Sequence, residues 1–578
     1  EMLGELRGYE AGVLAETVAI FNVRSLLRQL RNPAVGIPAA AAVVAAIALT
    51  SWYGRRQAEV RHIREEVMPA IEEMVAQSDL LRDMDEPYLL VEQAQAVLGE
   101  DPELEELASR VSLYIDIVTD PEGARVLRKP YDDPDAEWTY IGTTPLEGLR
   151  VPIDVFRWRI EKDGYEPVFA VASSWDIAPN MNGVVGNPLI RRLDPVSEVP
   201  EGMVRVAGSD GPQGSIPDFF IGRYEVTNRE YKTFVDQGGY RDPDYWTHPF
   251  VDDGELLERG AAMARLVDRS GLPGPATWVG GSYPQGQEDH PVSGVSWYEA
   301  AAYAEWAGVE LPTALHWEVA GGRRTPLLRW YQLGGMTTLA PFSNFDSSGP
   351  LAVGSRPSLS AYGTWDMPGN VREWCYNEAE AGRIVRGGAW NDNPYAFYNV
   401  TALPPMDRSP TNGFRVASYP ERDVVDEALF GPFTYPESRD LRSQEPVSDE
   451  VFQVYKDQFS YDPSPLNPRV ESREESPRGW IRERVSYSAA YRDERIVGYL
   501  HLPKDVEPPY SVVVYFPGSQ ALAGGERDNL EDWLEFNVFL SFLPAAGRAV
   551  LYPTYQGTFQ RFDPVFVPLH SGAPTRAF

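Results

Sequence analysis

Apolar positions recur at helical spacing between residues 55 and 110. Val60, Ile63, Val67, Ala70, Ile71 and Met74 are separated by Glu and Arg. A second helical unit runs from Tyr88 to Leu98 and stops at Gly99. Asp101, Pro102 and Glu103 then supply an N-cap, an N1 proline and an acidic first turn for a third helix. From residue 111 the period changes to that of strands. SLYIDIVTDPEGARVLRK, WTYIGTTPLEGLRVP and VFRWRIEKDGYEPV alternate, and Pro121-Glu122-Gly123-Ala124 is a tight turn between two such runs. Ser296 caps a helix carrying Trp297, Tyr298, Ala301, Ala302, Tyr303 and Trp306, with Glu299 at the capping-box position. Residues 419–475 have little periodicity and read as a linker, with a helix over about 446–457. Beyond it, ERVSYSA and ERIVGYLHLPKD predict an antiparallel pair. PPYSVVVYFPGSQAL reads as a buried parallel strand ending at Pro517-Gly518-Ser519. A helix from Leu530 to Phe542 and the strand GRAVLYPTYQG follow.

The run Ala34–Tyr53 carries no charge. At a rise of ~1.5 Å per residue it is long enough for a hydrocarbon core of ~30 Å, and Trp52 and Tyr53 sit at one end as interfacial anchors do. The expectation is a single transmembrane helix over 33–53, after a juxtamembrane segment (1–32) and before a helical stalk (54–110). The alternative is an alanine-rich helix buried in a soluble domain. Arg24, Arg28 and Arg31 precede the run and Arg55, Arg56, Arg61 and Arg64 follow it, so flanking charge sets no orientation.

The 578 residues suffice for about three to five domains. The chain begins at Glu1 and stops at Phe578 inside what reads as an unfinished domain, so a fragment is expected. A net charge of −33, with no Lys/Arg run, argues against nucleic acid as a partner. Cys375 is the sole cysteine, which excludes an intramolecular disulfide and any multi-thiolate metal site. The six histidines are dispersed without metal-ligand spacing.

Between Gly202 and Ala417 a series of aromatic and glycine phrases stands in order: GMVRVAG, FFIGRYEVTNREY, HPVSGVSWYEAAAYAEWAG, LPTALHWEVAGG, YGTWDMPGNVREW, RGGAW and NGFRVA. Together they resemble the formylglycine-generating enzyme (sulfatase-modifying factor) family. The resemblance implies an irregular, C-type-lectin-like fold over 199–418. Residues 111–175 resemble the PEGA domain, a small β-sandwich. Residues 479–578 resemble the N-terminal part of an α/β hydrolase, in which the turn Gly518, Ser519, Gln520 would donate to an oxyanion hole. The fold class expected is therefore multidomain α+β.

Family chemistry needs copper, held by a cysteine pair after the RGGS-type phrase. Copper(I) selects soft thiolates. Here the matching segment, RGGAWNDNPYAFYNVTALPPMDRSPTNGFRVA, has Phe397 and Ala402 at those positions, so no copper is expected. The fold also occurs in ergothioneine-type sulfoxide synthases, but their HxxxHxE iron motif is absent. The resemblance does imply calcium, held by Asp366 and Glu373 side chains and Gly369 and Val371 carbonyls. A second calcium site would begin at Asn344, Phe345 and Asp346, where the following loop is shorter than the family's. A ligand groove would pass Arg386, Trp390, Asn391 and Arg415, and a peptide, protein or glycan would be its occupant. The structural alternative is that Asp366 and Glu373 only hold a turn, and that Arg415 and Trp390 belong to the core.

The order of segments resembles the C-terminal region of a bacterial transmembrane serine/threonine kinase fusion, although no kinase motif is present. The expected role is a binding or sensory region, anchored in a bacterial inner membrane by one helix, with its C-terminal part extracytoplasmic. The alternatives are a hydrolase completed beyond residue 578, which no GxSxG motif in this chain supplies, and a formylglycine-generating oxidase.

Overall fold

The computed structural model describes residues 33–77, 84–174, 189–211, 214–322, 340–433, 445–460, 464–489, 494–504, 506–518, 521, 530–531 and 533–561. The expected juxtamembrane segment 1–32, Ser519 and Gln520 lie outside them. The chain divides into two units, Glu1–Ala76 with Glu86–Arg110, and Gln77–Asp85 with Val111–Phe578.

In the first unit, helix α1 (Pro33–His62) passes through a wider turn at Ile63–Val67 into α2 (Met68–Gln77). Ile63, Ile71 and Val75 are buried, as the apolar period requires. Asp101 caps the helix Pro102–Val111 by accepting from the backbone N–H groups of Glu103 and Leu104 at 3.1 and 3.2 Å. The expected membrane span is not upheld. Among the described residues no helix is long and apolar enough to cross a membrane, and this overturns both the one-helix anchor and the single-pass inner-membrane location. Physically, the apolar part of α1 is built largely from alanine, whose methyl buries little surface, and contains Pro38. The same helix runs on into Arg55, Arg56, Glu59 and Arg61.

In the second unit, β1 (Ser112–Asp120), β2 (Arg125–Pro130), β3 (Thr139–Thr143), β4 (Leu146–Pro152), β5 (Val155–Glu161), β6 (Val168–Ser173) and β7 (Leu189–Arg192) form two sheets, ordered β4-β1-β7 and β3-β2-β5-β6. The Pro121–Ala124 turn does not close a hairpin: it carries the chain from one sheet to the other. Trp158, Phe156 and Ile160 are fully buried.

The described residues of 199–418 hold short strands, short helices and long loops. The three-stranded sheet has Phe219–Gly222 at its centre, flanked by Met203–Val206 and Ala417–Ser418. The four-stranded sheet orders Thr401–Leu403, Gly382–Arg386, Arg372–Ala379 and Asn412–Gly413. The capping box at Ser296 and Glu299 forms as the sequence predicts, and helix Trp297–Ala307 ends at Gly308 in the left-handed conformation. Its aromatic face joins Tyr231, Phe234, Trp278 and Phe414 in one core, while Trp317, Met367, Cys375, Ile384 and Phe397 form a second. Arg157 ties β5 to this region, donating to the carbonyls of Tyr131 and Pro357.

The last sheet has the order 469–475, 480–488, 495–503, 549–553, 512–514. Trp480–Ser488 and Arg495–Pro503 pair antiparallel, as their alternation predicts. Val512–Val514 does run parallel to Ala549–Pro553, but it is the outer strand of the described sheet. Val512 and Val514 are exposed rather than buried. An edge strand has one neighbour, so a continuous apolar run alone does not establish central placement.

Candidate functional site

The phrase Asp366–Glu373 forms a loop in which Asp366, Gly369 and Asn370 all take positive φ, 58°, 84° and 58°. Left-handed backbone is tolerated by Asp and Asn because their short polar side chains bond locally. Gly369 has no alternative, since a Cβ there would lie 2.5 Å from the Asn344 carbonyl oxygen.

Asp366, nearly sealed from solvent, accepts from the Gly354 N–H at 2.6 Å and the Ser358 hydroxyl at 2.9 Å. Asn370 is the hub of the loop. Its carboxamide oxygen accepts from Asn344 Nδ2 at 3.0 Å and Leu351 N–H at 2.9 Å, and its Nδ2 donates to Glu225 Oε1 at 3.1 Å. Glu373 and Arg415 are both 0% exposed and form a two-pronged ion pair, at 2.5 Å from Nε and 2.7 Å from Nη2. The Trp317 indole donates to the same carboxylate at 2.7 Å. Arg415 continues to the carbonyls of Gly222 and Trp365, joining the two sheets of this region through one guanidinium.

The sequence reading missed Glu225. Its Oε1 is held by Asn370, while its Oε2 is buried with no hydrogen-bond partner among the described residues. Burial, and then the Asp366 carboxylate, push its pKa well above the usual carboxylate range, against the pull of Arg415. Asp366 is also raised, mainly by burial. For Arg415, burial works against the charge, and Glu373 outweighs it and raises the pKa. Three buried carboxylates (Glu225, Asp366 and Glu373) therefore share one guanidinium, and the excess negative charge needs a proton or a cation. Glu225 stands in YEVTN, where only the conjunction of Glu with an otherwise apolar strand end hints at burial.

The expected calcium donors fit a hard cation unevenly. Glu225 has an open oxygen and Asp366 is a buried carboxylate nearby in the charge network. Glu373 has both oxygens engaged by Arg415 and Trp317. Asn344 gives its Nδ2 to Gly349 and Asn370, its carbonyl accepts from the Asn370 N–H, and Phe345 packs against the second core. Asp346 takes a positive φ of 48°. Among the described residues no three His, Cys, Asp or Glu side chains are grouped as a metal cluster.

The four residues expected along a ligand groove separate into two kinds. Arg415 is core. Arg386 is 2% exposed, donates to the Asn399 carbonyl at 2.8 Å and stacks over Trp317. Trp390 is half-buried and its backbone is tied to Asn370 and Ser347; Asn391 is exposed. Of the four, Trp390 and Asn391 are the ones with accessible surface. Cys375 is fully buried in the second core, with its Sγ 3.8 Å from the Glu373 carbonyl, and burial raises its thiol pKa far above the ordinary value. Burial of this kind disfavours the thiolate, the form that acts as nucleophile or metal ligand. Phe397 packs on Trp317 with ring centroids 5.8 Å apart.

Residues 191–419 match the family described as "Sulfatase-modifying factor enzyme 1-like domain". The chain carries a domain of that family. Among curated proteins, the chain is similar to the hercynine oxygenase of Mycolicibacterium smegmatis, 36% identical over 28% of this chain and 37% of the relative. It is similar to the formylglycine-generating enzyme of Thermomonospora curvata, 28% identical over 38% of this chain and 92% of the enzyme. It is also similar to the serine/threonine-protein kinase pkn1 of Chlamydia pneumoniae, 28% identical over 32% of this chain and 33% of the kinase. The chain spans between about a third and a half of the length of the first of these curated relatives.

Of the turn expected to serve an oxyanion, only Gly518 is among the described residues. The Gly518 N–H donates to Glu535 Oε1 at 2.5 Å, and Tyr515, Tyr552 and Trp533 donate to the same carboxylate.

Proposed function

We propose that the sulfatase-modifying factor enzyme 1-like domain of this chain recognises a ligand and does not oxidise cysteine with copper, and that it serves as a binding or sensory module of a signalling protein. One observation carries the reading: the sole thiol, Cys375, is sealed in the core, and Phe397 and Ala402 stand where paired soft donors would be required. The similarity to kinases that share this domain supports the signalling context. Trp390 and Asn391 are the residues offered to a peptide, protein or glycan, because an aromatic with a polar neighbour at a half-open position gives both contact area and orientation. The PEGA-like and hydrolase-like segments are flanking modules in this reading.

Calcium is part of the proposal, with Asp366 and Glu225 as the carboxylates and Gly369 and Val371 as backbone donors. When bound it would supply positive charge to a buried, acid-rich loop and hold its shape. The test of function uses the full chain with a cysteine peptide, copper and oxygen, followed by mass spectrometry. The expected result is unmodified cysteine; aldehyde formed in proportion to the protein added would refute the proposal.

A further inference from the structure

A second place in the fold has unbalanced charge of the opposite sign. A cavity of about 50 Å³ lies where β6 and β7 meet Met203–Val206 and the Arg223 turn. It is more than the roughly 10–15 Å³ that one water requires. Four arginines line it, Arg191, Arg192, Arg205 and Arg223, against three acids, Glu166, Asp194 and Asp218. The acids are committed. Asp194 takes Arg205 at 2.6 Å through both oxygens, with Arg192 at 3.8 Å, Asp218 takes Arg205 at 3.2 Å, and Glu166 takes Arg223 at 3.0 Å.

Among the described residues Arg191 is left without a carboxylate. There it donates to the carbonyls of Ile190 and Ala361, at 2.8 and 3.2 Å, and its guanidinium stands 5.1 Å from the Tyr362 ring centroid. Its Nε is shut off from solvent and has no hydrogen-bond partner among the described residues, and the same is true of Arg223 Nε. Burial without a carboxylate lowers the Arg191 pKa from its ordinary value, against a smaller pull from Tyr362. A guanidinium does not shed its proton at physiological pH, and among the described residues no carboxylate pairs with that of Arg191 in this partly open cavity.

We propose that this cavity is a site for one small oxyanion, the carboxylate of a ligand or a phosphate- or sulfate-type group, received by Arg191 and Arg223. A single negative charge would match the one excess arginine, and two N–H donors without partners would gain acceptors. Glu166 and Phe169 lie on the β5–β6 side of the cavity, whereas Arg205 and Arg223 belong to the matched domain. An anion there would fasten the two-sheet segment to that domain.

The experiment is thermal unfolding of the full chain at constant ionic strength, in chloride, acetate, sulfate or phosphate, for wild type, Arg191→Met and Arg191→Lys. Sulfate and phosphate stabilise most proteins by exclusion, so the informative quantity is the gain of wild type over Arg191→Met in the same salt. A wild-type excess of roughly 2–4 °C in at least one oxyanion is expected. An excess in acetate identifies a carboxylate ligand, and an excess in sulfate or phosphate a tetrahedral one. In chloride alone, Arg191→Met should be no less stable than wild type, because it removes an unpaired buried charge. Arg191→Lys keeps the charge and most of the chain, so it folds even if the methionine variant does not, and it should retain only part of the gain. Equal gains in wild type and both variants would overturn the site, as would an Arg191→Met that is destabilised in chloride and indifferent to oxyanions.

Discussion

Glu373→Ala should lower the stability of the matched domain by about 3–5 kcal/mol, because it strands a guanidinium that has no access to water. Arg415 and Glu373 are both fully buried, and the pair is closed by two short hydrogen bonds. Arg415→Met should be more damaging still. It leaves Glu373 beside Asp366 and Glu225 with no cation between them, so the variant should fail to accumulate as folded protein. Asp289→Ala is the control. It removes the partner of Arg229, a pair with both side chains exposed, and should cost only about 1 kcal/mol or less. Urea unfolding followed by tryptophan fluorescence reads all three, since Trp317 and Trp374 lie in the cores beside the pair. A Glu373→Ala curve that overlays wild type would show that the pair is dispensable. In the same series, chelation should lower the wild-type midpoint if calcium balances the loop, and Glu225→Gln should abolish that difference. A midpoint indifferent to calcium and chelator in wild type would remove calcium from the account.

Gly369→Val is the second severe change. The position has φ of 84°, and an added Cβ would meet the Asn344 carbonyl oxygen at 2.5 Å and Phe345 at 3.3 Å. Left-handed strain in a β-branched residue costs roughly 1–3 kcal/mol, and the backbone collision adds to it because neither partner is the end of a flexible side chain. Gly254 separates the two effects. It has φ of 81° and nothing within 4 Å of its would-be Cβ, so Gly254→Val carries the conformational strain alone. Gly369→Val should be the less stable of the two, by urea midpoint, and should also lose the Asn344–Asn370 contacts that hold the loop. Equal losses at the two positions would mean that crowding at Asn344 is relieved cheaply.

The match over 191–419 was legible because its marks are local. The capping box of Ser296 and Glu299, the GGAW turn and the DMPGNVREW loop each place a special residue at a short, fixed spacing from its partners. The fate of Cys375 was also legible, since a lone thiol in an aromatic-rich strand packs as a small apolar group. The charge network was not. Arg415 is 42 residues from Glu373, and Asn370 is 145 from Glu225, and no periodicity links residues that meet only through the tertiary fold. The same is true of the arginines at the oxyanion cavity, which come from separate strands and turns. Arg386 and Arg415 were groove candidates only through the family resemblance, with the core as the alternative for Arg415, and here both serve as buried ties. The alanine-rich helix near the start misled for a different reason. Absence of charge over its first part suggested a span, although alanine contributes little apolar surface and the helix continues into arginine and glutamate.

The most direct test of the central claim is the affinity of the full chain for copper(I), measured by competition with a chromophoric chelator for wild type and Cys375→Ser. A single thiol buried in the core offers no pair of soft donors, so both proteins should leave the copper with the chelator. One equivalent of copper retained by wild type and lost in Cys375→Ser would contradict the account.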